Sequence, residues 1–169
     1  MPTVDDLEII AEQERSLVLG HLDEQVVWNL GCCLRELALG RKGPVALDIR
    51  RFGQVLFSVS LSGATPDNAE WIRRKSNVVQ RFLRSSYAIG LQLNRTGSSL
   101  MEKYGLGAAD YAVHGGSFPL AVVGAGVIGS ATVSGLPQRE DHGLVVQALC
   151  ALLQKDYSKL ALPIAETRS

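Results

Sequence analysis

The feature that most constrains this chain is a change of hydrophobic period at Gly43-Pro44. Before it, Val26, Val27, Leu30, Cys33, Leu34, Leu37 and Ala38 recur at i, i+3, i+4, the spacing of one helical face, and Gly40 supplies a stop. After it, Val45, Leu47 and Ile49 alternate with Ala46, Asp48 and Arg50, and Val55, Phe57, Val59 and Leu61 alternate with Leu56, Ser58 and Ser60, the period of a strand. Arg51-Phe52-Gly53-Gln54 is short enough to join them as a hairpin. A helix from about Asp23 to Leu39 is therefore followed by an antiparallel pair with one buried face, which needs further elements to cover it.

Those elements are legible on both sides. Thr3 as N-cap with Asp6 three residues on resembles a capping box, and Leu7, Ile10, Ala11, Leu17 and Val18 give a first helix an imperfect apolar face, so two helices are expected before any strand. Thr65-Pro66-Asp67-Asn68 opens a third helix whose apolar positions run through Trp71, Ile72, Val78, Val79, Phe82 and Leu83, with Tyr87 and Leu91 leaving its end open. Arg95-Thr96-Gly97 breaks the pattern, and Ser98 or Ser99 caps a short turn ending at Gly105. The clearest hairpin joins Phe118–Val123 to Val127–Ser134 through Gly124-Ala125-Gly126. Gly135-Leu136-Pro137 ends the sheet, and a last helix from about Gln138 to Tyr157 carries Leu144, Val145, Ala148, Leu149, Leu152 and Leu153 on one side, with a frayed tail expected after Pro163. The order predicts an α+β domain, an antiparallel sheet with helices on its faces. At 169 residues, 46% hydrophobic and 20% charged, one globular domain spanning residues 1–169 is expected.

Seventeen cations balance seventeen anions, which argues against a nucleic-acid partner or a polybasic membrane surface. No apolar run approaches the ~20 residues of a membrane span, and Met1–Glu14 is acidic rather than basic-then-apolar, so a cytoplasmic protein is expected. Cys32, Cys33 and Cys150 cannot all pair and lie in apolar helical patterns, which indicates neither a disulfide framework nor a zinc ribbon. Adjacent cysteines on a helix point to different sides, so core packing is expected of Cys33 and no metal site is assigned.

Four segments carry chemistry. Gly124-Ala125-Gly126-Val127-Ile128-Gly129 matches a dinucleotide-binding G-x-G-x-x-G, but the residues that follow are strand-like, and without a helix starting at the glycines there is no cradle for a pyrophosphate. In His114-Gly115-Gly116-Ser117-Phe118-Pro119, paired glycines allow close backbone approach while His114 and Ser117 offer polar groups at the mouth of a strand. Ser134 to His142 opens the last helix: Glu140 and Asp141 suit a helix N-terminus, yet beside Arg139 and His142 an Asp–His or Glu–His pair also suits general acid–base chemistry or a metal. A Ser–His–Asp triad lacks its G-x-S-x-G elbow. From Trp71 to Arg95 there are six cations and no acids, and Arg73, Arg74, Asn77, Arg81 and Arg84 share one quadrant, a face for an anionic ligand, an acidic partner or a second subunit. Lys75 falls instead in the apolar arc, so its ammonium must meet a carboxylate, a ligand anion or an interface, of which a bound partner is preferred.

The segments Asp67–Lys75, Arg81–Tyr87, His114–Pro119 and Gly129–His142 together resemble the haem-degrading-domain-like family, related to the GlcG and HbpS proteins and to the C-terminal domain of PduO-type adenosyltransferases. The branch resembled is one other than the haem-binding representatives. The resemblance implies a profilin-like sandwich with a five-stranded antiparallel sheet flanked by helices, and homodimers assembling into larger rings. The G-G-x-P turn matches at Gly115, Gly116 and Pro119, and the acidic helix start at Glu140 and Asp141, whereas no haem ligand is carried over.

The leading expectation is a homo-oligomer that binds a small anionic or haem-like ligand between the His114 turn, the Ser134–His142 loop and the third helix. Its ligand-binding residues are Arg73, Arg74, Lys75, His114, Gly115, Gly116, Ser117, Ser134 and Glu140, with haem propionates suited to Arg73, Arg74 or Lys75. A second reading is a non-catalytic adaptor that shows its basic helix to an acidic protein. A third is a hydrolase or lyase with His114, Asp141 and His142 as candidate catalytic residues, His142 working with Asp141.

Overall fold

The first surprise of the architecture is at its edge. The computed structural model describes residues 5–164, and in it a two-residue strand, β1 (Val18–Leu19), separates helix α1 (Asp6–Ser16) from α2 (Glu24–Leu39). Val18 and Leu19 pair in parallel with Ala121 and Val122, so two helices do not precede the first strand and the sheet is mixed rather than purely antiparallel. Apolar residues at the end of a helical pattern leave the helix here because a strand edge takes up their backbone groups. Asp5 caps α1 by accepting the Leu7 N–H; the expected cap Thr3 lies outside the described residues.

The remaining strands are β2 (Ala46–Arg51), β3 (Gln54–Ser60), β4 (Ser117–Val122) and β5 (Gly126–Ser134), in the order β1-β4-β5-β2-β3. Both hairpins form as their alternation predicts, and Gly124, Gly126 and Gly129 belong to the second of them, not to a phosphate cradle. β2 was expected to bury one face; it lies between β5 and β3, and Ala46 through Ile49 are buried on both.

Helix α3 runs from Pro66 to Phe82 and stops at Leu83, whose φ of 56° lies in the left-handed region. Ser85 then caps a separate helix α4 (Ser86–Thr96) by accepting the Ala88 N–H, so Tyr87 and Leu91 belong to α4. A capping box of Ser99 and Glu102 starts the short α5 (Leu100–Tyr104). The last helix, α6, spans Gln138–Leu152 rather than reaching Tyr157, because Gln154 turns left-handed and the Lys155 N–H returns to the Cys150 carbonyl.

The two faces of the sheet differ in kind. Leu47 and Ile49 face the same side as Val133, Ala131, Phe118 and Leu120, and this apolar side packs on α2 and α6 as the main core, where Cys33 packs against its edge. The opposite side carries Asp48 and Arg50, then Ser130, Thr132, Ser134 and Ser117, and α3 lies over it. Its polar groups are paired as burial requires: Arg50 donates to Asp48 at 2.7 Å, and the Ser117 and Thr132 hydroxyls are 2.9 Å apart. Burial raises the Asp48 carboxyl above its usual value against the opposing pull of Arg50.

The opposite charges of the first helix and the Trp71–Arg95 segment meet within one chain. Glu14 accepts from Arg84 and from the Ser85 N–H, Asp5 pairs with Arg95, and Asp6 with Arg139. Arg73 is held by Glu70 and Asp110. Arg73 and Arg84 of the basic face are thus neutralised internally, whereas Arg74 and the exposed Arg81 meet no carboxylate among the described residues.

Candidate functional site

α3 begins with Thr65 and Asn68 in a capping box and proline at its first position, which fixes where Asp67, Asn68, Trp71 and Lys75 emerge along one side. This side faces two other chain segments: the turn His114–Gly116 before β4, and the passage Ser134–Gln138 from β5 into α6. Between them lies an open cleft of about 290 Å³, with Asp141 at its base.

The base is an ion pair. Lys75 Nζ donates to Asp141 Oδ2 at 3.0 Å and to the Val133 carbonyl at 3.1 Å, while Asp141 Oδ1 accepts the Leu136 N–H at 3.0 Å. Both side chains are at most 4% exposed. The partner that Lys75 requires is therefore an internal carboxylate, 66 residues away, rather than a bound molecule. An ammonium has three donors, and these two acceptors leave one. Burial raises Asp141 to about 6, against the pull of Lys75 and the backbone N–H groups of Leu136 and Gly135. Burial likewise lowers Lys75, with Asp141 opposing.

The glycine turn is shaped by this pair. Gly116 has φ 135°, and a Cβ there would lie 2.4 Å from the Val133 carbonyl oxygen and 2.7 Å from Lys75 Nζ. A side chain at Gly115 would meet the Gln138 carbonyl at 2.3 Å, and the Gly115 N–H donates to the Gln138 side chain. The glycines bring the turn down onto the ion pair and the start of α6.

His114 stands on the rim, edge-on to Trp71 with ring centroids 4.9 Å apart. Arg74 lies over the other part of this wall, its guanidinium carbon 4.2 Å from the Trp71 ring centroid. Burial, then the charges of Lys75 and Arg74, hold His114 below the usual imidazole value, so its ring is neutral at neutral pH. Trp71 is fixed in turn by donating its indole N–H to Asp67 at 3.2 Å.

The structure brings together some of the expected residues. Lys75, His114, Ser134 and Asp141 line the cleft and Arg74 adjoins it, whereas Gly115 and Gly116 are not among its lining residues and pack instead against Gln138 and the Lys75–Asp141 pair. Arg73 turns to Glu70 and Asp110, Ser117 is buried against Ser86 and Thr132, and Glu140 is exposed outside the cleft. His142 is wholly buried: Nε2 meets Gln13 Oε1 at 2.7 Å, the ring packs against Tyr87 and Phe118, and Nδ1 has no partner. Burial lowers it to about 3. Asp141 and His142 are neighbours in sequence but bond to different partners on different sides of α6, so they do not form an acid–base pair.

Asp67, Asn68, Trp71, Leu136 and Gln138 join the cleft without having been singled out as ligand-binding. The signal was present: positions 68, 71 and 75 share a helical face, so the off-pattern Lys75 pointed back along α3 to the residues beside it.

Haem requires an axial donor, and among the described residues the three histidines differ sharply. His21 is exposed and 3.3 Å from Asp23, His142 is enclosed, and His114 alone offers a neutral imidazole at a cleft. No three His, Cys, Asp or Glu side chains cluster as metal ligands among the described residues.

Comparison with known proteins supplies the context. Residues 22–150 match the sequence model of a family described as "Haem degrading protein HbpS-like". A UPF0303 protein of Acidobacterium capsulatum is 56% identical over 98% of this chain and all of its own length. Another, from Burkholderia thailandensis, is 60% identical over 93% of this chain and 95% of its own. Among solved structures, the Ybr137w protein superposes with a TM-score of 0.83 at 29% identity, covering 89% of each chain. A PduOC–haem complex gives 0.66 at 17% identity, over 78% of this chain and 94% of that one, a likeness of fold alone.

Proposed function

Because the chain belongs to the HbpS-like family of haem-degrading proteins, we propose that it binds a small ligand through an anionic group at the wall formed by Trp71, Arg74, Lys75 and His114. The observation that carries this reading is the open cleft of about 290 Å³ whose buried Lys75 keeps a donor free beside the neutral imidazole of His114. Arg74 adds a guanidinium that no carboxylate engages among the described residues. Charge-assisted hydrogen bonds from such donors suit a carboxylate or a propionate.

The residues fit haem at one edge. His114 would face the iron and Arg74 a propionate, while the cleft volume sits at the low end of the ~300–1,000 Å³ of small-molecule sites and does not enclose a macrocycle. Haem bound there would supply redox chemistry; the chain's own contribution is to hold a neutral imidazole and an anion-binding wall. Self-association is part of the proposal, with the edge strand β3 and the exposed Phe52 and Val55 meeting a second copy of the chain.

The test is a pair of titrations, one with haemin followed at the Soret band and one with acetate followed by tryptophan fluorescence. A displaced Soret band that is lost in His114→Ala, and an acetate response weakened about tenfold or more in Arg74→Gln, are expected. A protein that responds to neither probe does not bind ligands in this way.

A further inference from the structure

A second cavity, of about 340 Å³, lies on the far side of His114, between the end of α4, the helix α5 and the loop that returns toward β4. It is lined by Leu93, Leu100, Met101, Leu106, Tyr111 and Val113, so its character is apolar where the first cleft is polar. His114 belongs to both cavities, and Arg74, which lines the second, stacks on Trp71, which lines the first. The partition between them is thus three side chains held by ring contacts, by the Trp71 indole N–H on Asp67 and by one long bond, Arg74 to the Ala108 carbonyl at 3.5 Å.

From this juxtaposition we infer that the ligand is amphipathic: an anionic head at Arg74 and His114, and an aliphatic or aromatic body in the cavity between α4 and α5. The inference rests on the anion-binding reading above and adds the class of ligand. Charge complementarity supports it, because Arg74 sits at the mouth of an apolar cavity without a carboxylate partner among the described residues. Size supports it too. Each cavity alone is at the low end for a small-molecule site, whereas the two joined at His114 fall well within that range. Met101, an exposed and flexible thioether on α5, is suited to closing over bodies of differing shape.

The experiment uses the full chain carrying Trp28→Phe, which leaves Trp71 as the sole tryptophan and replaces an exposed ring by a similar one. Acetate, butyrate, hexanoate and octanoate are titrated against Trp71 fluorescence. Affinity should climb about fourfold for each methylene that enters the cavity. Adding Met101→Glu should abolish that gain for octanoate while leaving the acetate response in place. Equal affinity for acetate and octanoate would overturn the inference and leave the anion-binding reading standing. A chain-length gain untouched by Met101→Glu would also overturn it, since the body would then lie elsewhere. If no carboxylate perturbs Trp71, both readings fall.

Discussion

Lys75 Nζ and Asp141 Oδ2 meet at 3.0 Å beneath the glycine turn, and neither charge has appreciable access to solvent. A buried pair of this kind stabilises little against an apolar replacement, but removing one partner strands the other. Lys75→Met should therefore cost about 3–5 kcal/mol at neutral pH. The loss should shrink in acid as the orphaned Asp141 carboxyl takes up a proton. Urea denaturation at pH 5 and pH 7.5 measures both values; an equal loss at the two pH values would show that Asp141 is not left charged.

Asp141 and His142 push the pH profile of stability in opposite directions. Asp141 is raised from 3.8 to about 6 in the fold, so its contribution is fully present below 4 and is lost as pH rises through 6. His142 is lowered from 6.5 to about 3, so its contribution is present above 6.5 and is lost as pH falls through that window. Between pH 4 and 6 the two slopes partly cancel. Asp141→Asn should steepen the acid loss of stability, and His142→Phe should reverse it, as read from unfolding midpoints across that range.

The asymmetry between these neighbours explains what the sequence could reveal of the site. Lys75 violates the apolar pattern of α3, so its need for a partner is visible in the one-dimensional string. The partner is not, because Asp141 sits in the first turn of α6, where an acid is expected on helix-dipole grounds alone. Successive residues of a helix project about 100° apart, so Asp141 reaches the cleft while His142 enters the core, and adjacency misleads as to pairing. The hairpins and α2 were legible because their periodicity is local. β1 was not, because two apolar residues become a strand only when β4 is beside them. The charge segregation was visible, but its meaning changes in the fold, where it ties α1 to α4 and α6 rather than to another molecule.

Gly116→Ala should be among the most damaging single substitutions. Its φ of 135° is one that only glycine adopts readily, and the added methyl would press on Val133 and on Lys75. A loss on the order of 3 kcal/mol or more is expected from strain and overpacking together, seen as a fall in the thermal midpoint. Gly124→Ala, at a turn with open space around it, should cost about 1 kcal/mol from backbone strain alone.

Glu14 closes the gap between α3 and α4 by accepting from Arg84 at 3.0 Å and from the Ser85 N–H at 2.8 Å. Glu14→Ala removes both acceptors and should destabilise by about 1–3 kcal/mol. Because α1 docks through this contact, amide exchange in α1 should accelerate more than exchange in β2. Glu14→Gln, which keeps an acceptor for the Ser85 N–H, should recover part of the loss.

Leu83 separates the two helices at the cost of a left-handed backbone, φ 56° and ψ 28°, on a side chain that is 54% exposed. The Leu83 N–H still returns to the Val79 carbonyl, so the strained residue ends α3 as a glycine ordinarily would. Leu83→Gly removes the Cβ clash, worth about 1–2 kcal/mol, but gives the unfolded chain more freedom, which offsets about 0.5–1 kcal/mol of that relief. Little packing is lost, because more than half of the side chain already faces solvent. The net effect should be a small stabilisation, a rise of a few degrees in the thermal midpoint. Leu83→Ala, which keeps the Cβ in the same conformation, should give none of it, and a stabilisation by alanine equal to that by glycine would show that the left-handed turn carries no strain.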